Sequence, residues 1–193
     1  MITHLQGRLV EKNPTEVVIE CNGVGYLVHI SLHTFSQLPT AESVKLYTYL
    51  LVKEDSHTLY GFAGVEEREV FKLLISVSGV GASTARTMLS SLAPDQVKDA
   101  IVNEGVATIQ SVKGIGAKTA QRVILDLKDK ILKVYGMSTI SGVSSNTNKN
   151  EALSALETLG FARKQAEKVC DKIAQENSGA SVETIIKLAL KNL

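Results

Sequence analysis

The sequence predicts a mixed α+β protein with an all-β N-terminal region, an all-α central region and a C-terminal helical bundle. Residues 1–63 contain short runs of β-branched and aromatic residues, and from Val65 the apolar spacing becomes helical. Residues 138–148 contain nine Ser, Thr, Gly or Asn out of eleven, a composition typical of flexible linkers. We therefore predict domains at 1–63, 64–137 and 150–193, with a flexible linker over 138–149.

The N-terminal region contains four runs with strand character. They are Thr15–Cys21, Gly25–Ile30, Val44–Val52 and Thr58–Phe62. A segment of this length has room for about five short strands. The spacing of the runs alone supports a small all-β domain and does not specify its topology.

The central region contains a glycine-flanked turn that occurs twice, 35 residues apart. The first copy is Ser76–Gly81 and the second is Ser111–Gly116. Each follows a short apolar stretch, and each precedes a helix that starts with small and polar residues. Helical patterns also cover Glu66–Ser76, Asp95–Val102 and Ile115–Tyr135. The order helix, Gly-apolar-Gly turn, helix predicts two helix-hairpin-helix units.

These turns have the chemistry of a phosphate site. Glycines allow a sharp bend and close approach to a ligand, and unpaired N–H groups at a helix start favour an anion. Two such units in tandem predict a grip on duplex DNA that does not read bases. We expect the backbone contacts to come from Gly79, Val80, Gly81, Gly114, Ile115 and Gly116, with the side chains of Val80 and Ile115 filling the gaps between helices.

Other ligand sites are not predicted. A P-loop needs a glycine, four further residues and then Gly-Lys-Ser/Thr, but in this chain Ala117 precedes Lys118-Thr119. A dinucleotide fingerprint needs a third glycine, and this chain has Thr84 or Thr119 at that position. The two cysteines lie far apart, and the four histidines have no paired spacing. We therefore expect no cofactor, no metal and no catalytic site.

The charge of the chain is almost balanced, at +1, whereas DNA-binding domains are usually basic. The basic character is local: six cations and two acids fall within residues 113–133. No apolar run approaches 20 residues and no secretion leader is recognisable, which predicts a cytoplasmic protein without a membrane span.

Three amphipathic helices are predicted after the linker. Their apolar stripes exceed what a bundle of this size can bury, which favours a partner-docking module over a bundle that only closes its own core. The candidate docking residues are Leu153, Leu156, Leu159, Ile186 and Leu190.

The chain resembles the bacterial RuvA family of Holliday-junction-binding proteins. The resemblance lies in Met1–Val10, in Leu59–Phe62 and above all in Val112–Lys128, and it extends over essentially the whole chain. It implies an OB-type β-barrel over 1–63, a UBA-like three-helix bundle at the C-terminus, and a homotetramer, two of which can enclose a junction as an octamer. It also implies three partners: four-way junction DNA, a RuvB-like AAA+ ATPase that uses the ATP, and a RuvC-like resolvase.

Glu54 and Asp55 lie in the predicted turn between two strands. Acidic residues in a turn are ordinarily just solvated. The resemblance implies another role, in which this pair forms an acidic pin at the centre of the tetramer, repels phosphates and keeps the junction open.

Side-chain contacts with DNA are expected mainly from the second hairpin. The candidates are Ser83, Arg86, Lys113, Lys118, Thr119 and Arg122. Relatives often have a lysine where this chain has Ser83, so we expect the first hairpin to bind more weakly. An accessory module of a repair nuclease or polymerase is the alternative function. A helix-hairpin-helix glycosylase, with Asp95 or Asp99 as its aspartate, is disfavoured because both lie in a polar helix start.

Overall fold

The structure, a computed structural model, describes residues 1–39, 43–135, 144–177 and 180–193. Its contacts divide the chain into two compact units, Met1–Met137 and Ser138–Leu193. The first unit contains both the β-region and the two predicted hairpins. The second contains the C-terminal helices.

The N-terminal region is a closed five-stranded barrel. Its strands are β1 (His4–Lys12), β2 (Glu16–Cys21), β3 (Val24–Ile30), β4 (Ser43–Val52) and β5 (His57–Phe62). They pair in the order β1-β2-β3-β5-β4, with β3 and β5 parallel and the other pairs antiparallel. This topology confirms the OB-type barrel. The sequence did not indicate α1 (Leu32–Gln37), whose six residues are too few to establish a helical period.

The described residues of the central region form five helices. They are α2 (Val65–Ile75), α3 (Ala82–Ser91), α4 (Pro94–Val102), α5 (Val106–Gln110) and α6 (Ala117–Tyr135). Phe71 on α2 is fully buried, and its ring centroid lies 5.0–5.7 Å from those of Tyr49, Tyr60 and Phe62 in the barrel. Aromatic packing therefore joins the barrel and the helices into one unit.

A buried carboxylate reinforces this junction. Glu67 on α2 is 2% exposed and accepts hydrogen bonds from the hydroxyls of Ser31 and Thr34, which lie at the start of α1. Burial raises the pKa of Glu67 above its usual 4.5, whereas the two hydroxyl bonds and His33 oppose that shift. The barrel and the first hairpin are thus linked by a polar network as well as by apolar contacts.

In its described residues, the C-terminal unit is a three-helix bundle of α7 (Ser144–Thr158), α8 (Arg163–Glu176) and α9 (Val182–Ala189). Ser181 caps α9, since its hydroxyl accepts a bond from the N–H of Thr184. The predicted linker differs at its C-terminal end. Residues 144–149 belong to α7, where Asn148 donates to the carbonyl of Ala180 at 3.0 Å and Lys149 pairs with Asp171. Residues 138–143 of that linker lie outside the described residues.

Candidate nucleic-acid interface

The two glycine-flanked turns have the same hydrogen-bond pattern. The N–H of Val80 donates to the carbonyl of Val77 at 3.0 Å, and the N–H of Ile115 donates to that of Val112 at 3.1 Å. The hydroxyl that opens each turn, Ser76 or Ser111, donates to the carbonyl three residues earlier at 2.7 Å. The 35-residue repeat seen in the sequence is therefore a repeat of backbone structure.

Each turn uses its two glycines for different purposes. Gly79 and Gly114 have φ values of 93° and 90°, a left-handed conformation that strains other residues. Gly81 has an extended backbone, with φ −81° and ψ 165°, that any residue can adopt. A Cβ built on Gly81 or Gly116 meets no atom within 4 Å. The protein's own packing therefore leaves room at this second glycine for a ligand to approach the backbone.

The backbone N–H groups that are available to a phosphate lie later in the chain than the residues predicted from the sequence. The N–H groups of Val80 and Ile115, predicted to bind DNA, are already bonded within their turns. This part of the prediction was wrong because these two residues anchor the turns. The side chains of Val80 and Ile115 do fill the core as predicted, each being 5% exposed.

Free donors remain at the first turn of each second helix. The first intrahelical bonds run from Ala85 to Gly81 and from Ala120 to Gly116, both at 2.9 Å. The three N–H groups before each of these bonds have no intrahelical acceptor, and Gly81 supplies no capping side chain. These six donors belong to Ala82, Ser83, Thr84, Ala117, Lys118 and Thr119.

The repeat aligns three cations of the second hairpin with three hydroxyl residues of the first. Lys113, Lys118 and Arg122 correspond to Ser78, Ser83 and Thr87. Both lysines are exposed, and Arg122 faces solvent with Asp126 at 3.9 Å. Among the predicted side chains, Thr119 is half-buried and Ser83 is exposed. Two turns with the same backbone thus differ in charge.

Arg86 is directed towards the barrel rather than grouped with the other cations. Its Nη1 donates to the carbonyl of Thr15 at 3.1 Å and lies 3.5 Å from Nδ1 of His29. The predicted DNA contact of Arg86 therefore conflicts with its position in this structure. The physical reason is the loop between β1 and β2, where the carbonyl of Thr15 accepts a hydrogen bond from the guanidinium of Arg86 in addition to that from the N–H of Ile30.

The acidic pair lies in the turn that joins β4 and β5. Glu54 and Asp55 are both exposed there. The N–H of Lys53 donates to the carbonyl of Ser56 at 2.8 Å, and the hydroxyl of Ser56 donates to Asp55 at 3.2 Å. The predicted location at a hairpin tip is confirmed, and both charges are available to an external partner.

Similarity to known proteins extends over the whole chain. Three family models match: RuvA N terminal domain at residues 1–61, SAM-like helix-hairpin-helix tandem at 71–129, and RuvA C-terminal domain at 147–193. Relatives from Christiangramia forsetii and Flavobacterium psychrophilum are 68% and 66% identical over all of both chains. One from Bacteroides thetaiotaomicron is 47% identical, again over all of both chains. Each is named Holliday junction branch migration complex subunit RuvA.

The chain belongs to the RuvA family. The three matched segments of this RuvA-family chain coincide with the barrel, the pair of hairpins and the C-terminal bundle. The tandem helix-hairpin-helix match contains both glycine-flanked turns, so the repeated unit found by spacing is the unit that the family model describes.

The C-terminal bundle of the RuvA-family chain divides the predicted docking residues into two groups. Leu153 and Leu156 are buried in the bundle core with Cys170 and Ile185. That part of the prediction was wrong, because the bundle needs these two leucines for its own packing. Leu159 and Leu190 are exposed, at 60% and 46%, and Ile186 is half-buried. An external partner can therefore reach only the last three.

One further feature concerns the alternative function as a DNA glycosylase. Asp95, the candidate glycosylase aspartate, accepts a hydrogen bond from Lys98 at 2.7 Å, and this bond lowers the pKa of Asp95. Asp95 therefore serves in an ion pair at the start of α4.

No helix in the described part of the chain is long and apolar enough to cross a membrane.

Sequence reasoning missed the backbone donors of Ala82, Thr84 and Ala117. It also missed that Ser78 and Thr87 stand where the second hairpin has cations. Aligning the two turns at their 35-residue offset reveals the second point directly. The first point needed the hydrogen bonds inside each turn, which cannot be read from residue types.

Proposed function

We propose that this chain binds four-way DNA junctions by their sugar–phosphate backbones and acts as a non-catalytic subunit of a branch-migration complex. The observation that carries the proposal is the repeated turn, which presents two sets of helix N-terminal N–H groups from one compact unit. Such donors bind phosphate without regard to base identity. The names of the relatives supply the junction as the substrate.

In this proposal the chain assembles as a homotetramer in the cytoplasm, and two tetramers can enclose one junction. Four copies bring eight hairpins to four duplex arms, which compensates for the small net charge of one chain. The Glu54–Asp55 turn lies at the crossover and repels phosphates there, which keeps the strands apart. The chain itself uses no cofactor.

The test compares a four-way junction with linear duplex of the same length in a gel shift with competitor DNA. The proposal expects the junction to bind at least tenfold more tightly, since only the junction engages several subunits at once. Equal affinity for the two DNAs would contradict it. Equal affinity would instead favour the accessory-module alternative, which the full-length match to RuvA relatives disfavours.

The acidic pair is tested by charge reversal. In Glu54→Lys with Asp55→Lys, we expect the junction-to-duplex affinity ratio to fall about tenfold, because two repulsive charges become attractive to any phosphate. The neutral variant Glu54→Gln with Asp55→Asn is the matched control and should lie between the two. If both variants keep the wild-type ratio, Glu54 and Asp55 are ordinary solvated residues of a turn and do not contribute to the preference for junctions.

The C-terminal bundle is proposed to recruit a hexameric ATP-driven motor of the RuvB type, and a RuvC-like resolvase joins the same assembly. Exposed Leu159 and Leu190, with half-buried Ile186, offer an apolar contact. We expect Leu159→Asp with Leu190→Asp to leave junction binding unchanged and to abolish stimulation of the motor's ATP-dependent branch migration. Lys164→Ala, at another exposed position of the bundle, serves as the control. Continued stimulation by the double variant would contradict docking at these leucines.

A further inference from the structure

The same helix face serves different purposes in the two hairpins. At the 35-residue offset, Arg86 and Ser90 on α3 correspond to Gln121 and Leu125 on α6. Gln121 and Leu125 face outwards, with Leu125 80% exposed. Arg86 and Ser90 are half-buried. Within the described residues, this face of the first hairpin is therefore in contact with other parts of the protein, whereas that of the second hairpin is exposed.

That contact is a set of hydrogen bonds to the barrel. Besides the bond from Arg86 to the carbonyl of Thr15, the hydroxyl of Ser90 accepts the N–H of Leu32 at 3.1 Å. The same hydroxyl donates to the carbonyl of Arg86 at 2.8 Å, which links the two positions. Thr15 lies just before β2 and Leu32 is the first residue of α1, so the bonds reach two separate parts of the barrel domain.

The surroundings of the guanidinium favour a fixed position. His29 on β3 lies beside Nη1, and its own Nδ1 is 3.8 Å from a carboxylate oxygen of Glu16, its partner across the β2–β3 pair. The guanidinium of Arg86 therefore has an acceptor carbonyl within the protein itself, and the His29 ring beside it lies next to a carboxylate. An arginine held in this way is drawn away from a phosphate.

We propose that Arg86 is a positioning residue that fixes the first hairpin relative to the barrel and thereby sets the preference for junctions over linear duplex. This inference rests on the proposed function. Linear duplex needs only the hairpins, whereas a junction requires the hairpins and the Glu54–Asp55 turn of the barrel in a fixed relation. Hydrogen bonds between the first hairpin and the barrel therefore affect the binding of a junction and not the binding of linear duplex.

The experiment measures junction and duplex affinities of the full chain over a range of salt concentrations. Arg86→Ala should lower the junction-to-duplex ratio about threefold to tenfold, the effect of losing one ordinary hydrogen bond. The slope of log affinity against log salt on duplex should stay the same, because no phosphate contact is lost. Arg86→Lys, which keeps a donor and the charge, should restore part of the ratio.

Two further variants separate positioning from instability. Ser90→Ala removes the acceptor of the Leu32 N–H without touching a charge and should lower the ratio in the same direction. Gln121→Ala, at the equivalent position of the second hairpin, should leave the ratio and the slope unchanged. Thermal unfolding of each variant shows whether the unit remains folded.

The outcomes are distinct. A slope that falls by about one in Arg86→Ala would show that Arg86 neutralises a phosphate, and this would overturn the inference. So would an unchanged ratio in both Arg86→Ala and Ser90→Ala. A wild-type protein without any junction preference would remove the proposed function and the inference together, whereas a wild-type preference that survives both substitutions removes the inference alone.

Discussion

The two hairpins share one backbone and differ in what surrounds it. Their turns have the same left-handed glycine, the same buried anchor and the same internal hydrogen bonds. The first carries hydroxyls where the second carries cations, and it is bonded to the barrel through α3. The comparison teaches that a duplicated binding unit can divide its tasks: the second hairpin supplies charge, and the first supplies a defined orientation.

The largest expected effect comes from placing a carboxylate where a phosphate would lie. Gly116 precedes α6 and has open space for a side chain, and aspartate is a favourable residue at a helix N-terminus. We therefore expect Gly116→Asp to keep the thermal stability of the protein and to lower junction affinity about 100-fold, by blocking and repelling the phosphate.

The matched substitution in the first hairpin is Gly81→Asp. Its effect should be smaller, about tenfold, because that hairpin brings no cation to the contact. Gel shifts and thermal unfolding of both variants measure these quantities. Equal losses in the two variants would contradict the division of tasks, and an undiminished affinity in both would show that neither helix start holds a phosphate.

Exchanging the charges should give the next largest effect. We expect Lys113→Ser with Lys118→Ser and Arg122→Thr to reduce the slope of log affinity against log salt by about two to three, because each lost phosphate contact removes about 0.9. The affinity at physiological salt should fall about tenfold or more. Binding measured over a salt series checks both values.

The reverse exchange sharpens the result. Ser78→Lys with Ser83→Lys and Thr87→Arg gives the first hairpin the charges of the second, and the slope should steepen by up to the same amount. If this variant leaves the slope at the wild-type value, the first hairpin does not lie along a phosphate backbone.

The smallest expected effect concerns Glu67, which joins the first hairpin to the barrel. Because its pKa is raised by burial, the folded protein binds a proton at Glu67 more tightly than the unfolded chain does. The contribution of this group to stability is therefore greatest below the usual pKa of 4.5 and falls as the pH rises through the folded value.

Glu67→Gln stays neutral and removes this pH dependence. The wild-type melting temperature should fall more steeply above pH 4.5 than that of Glu67→Gln, by a few degrees, since one kcal/mol shifts a domain of this size by about 2–8 °C. The salt slope of DNA binding should not change. Parallel pH profiles of the two proteins would contradict the assignment.

The fold was largely predictable because its signals are local. Strand composition, the change to a helical period at Val65 and the duplicated Gly-apolar-Gly turn each specify an element from its own residues. Barrel closure came from the family resemblance, since pairing between β1 and β4 is a long-range contact. The helical start at residues 144–149 was missed because contacts of Asn148 and Lys149 with the bundle outweigh a composition typical of linkers.

The sequence predicted which regions form the candidate site, but it did not predict which atoms in those regions are available to a ligand. The spacing located both turns and the exposed lysines. It could not show that the N–H groups of Val80 and Ile115 are used internally, or that Arg86 reaches the carbonyl of Thr15. Leu153 and Leu159 look alike in an apolar stripe, and only the packing of the bundle separates a core residue from a surface one.

The anchoring of Val80 and Ile115 in the core has a consequence for how quickly DNA is captured. Because each turn is held by a buried side chain and an internal bond, its conformational freedom is lost during folding and not at the moment of association. Encounter with DNA then requires no rearrangement of either turn, and differences in affinity between variants are carried mainly by how long the complex survives.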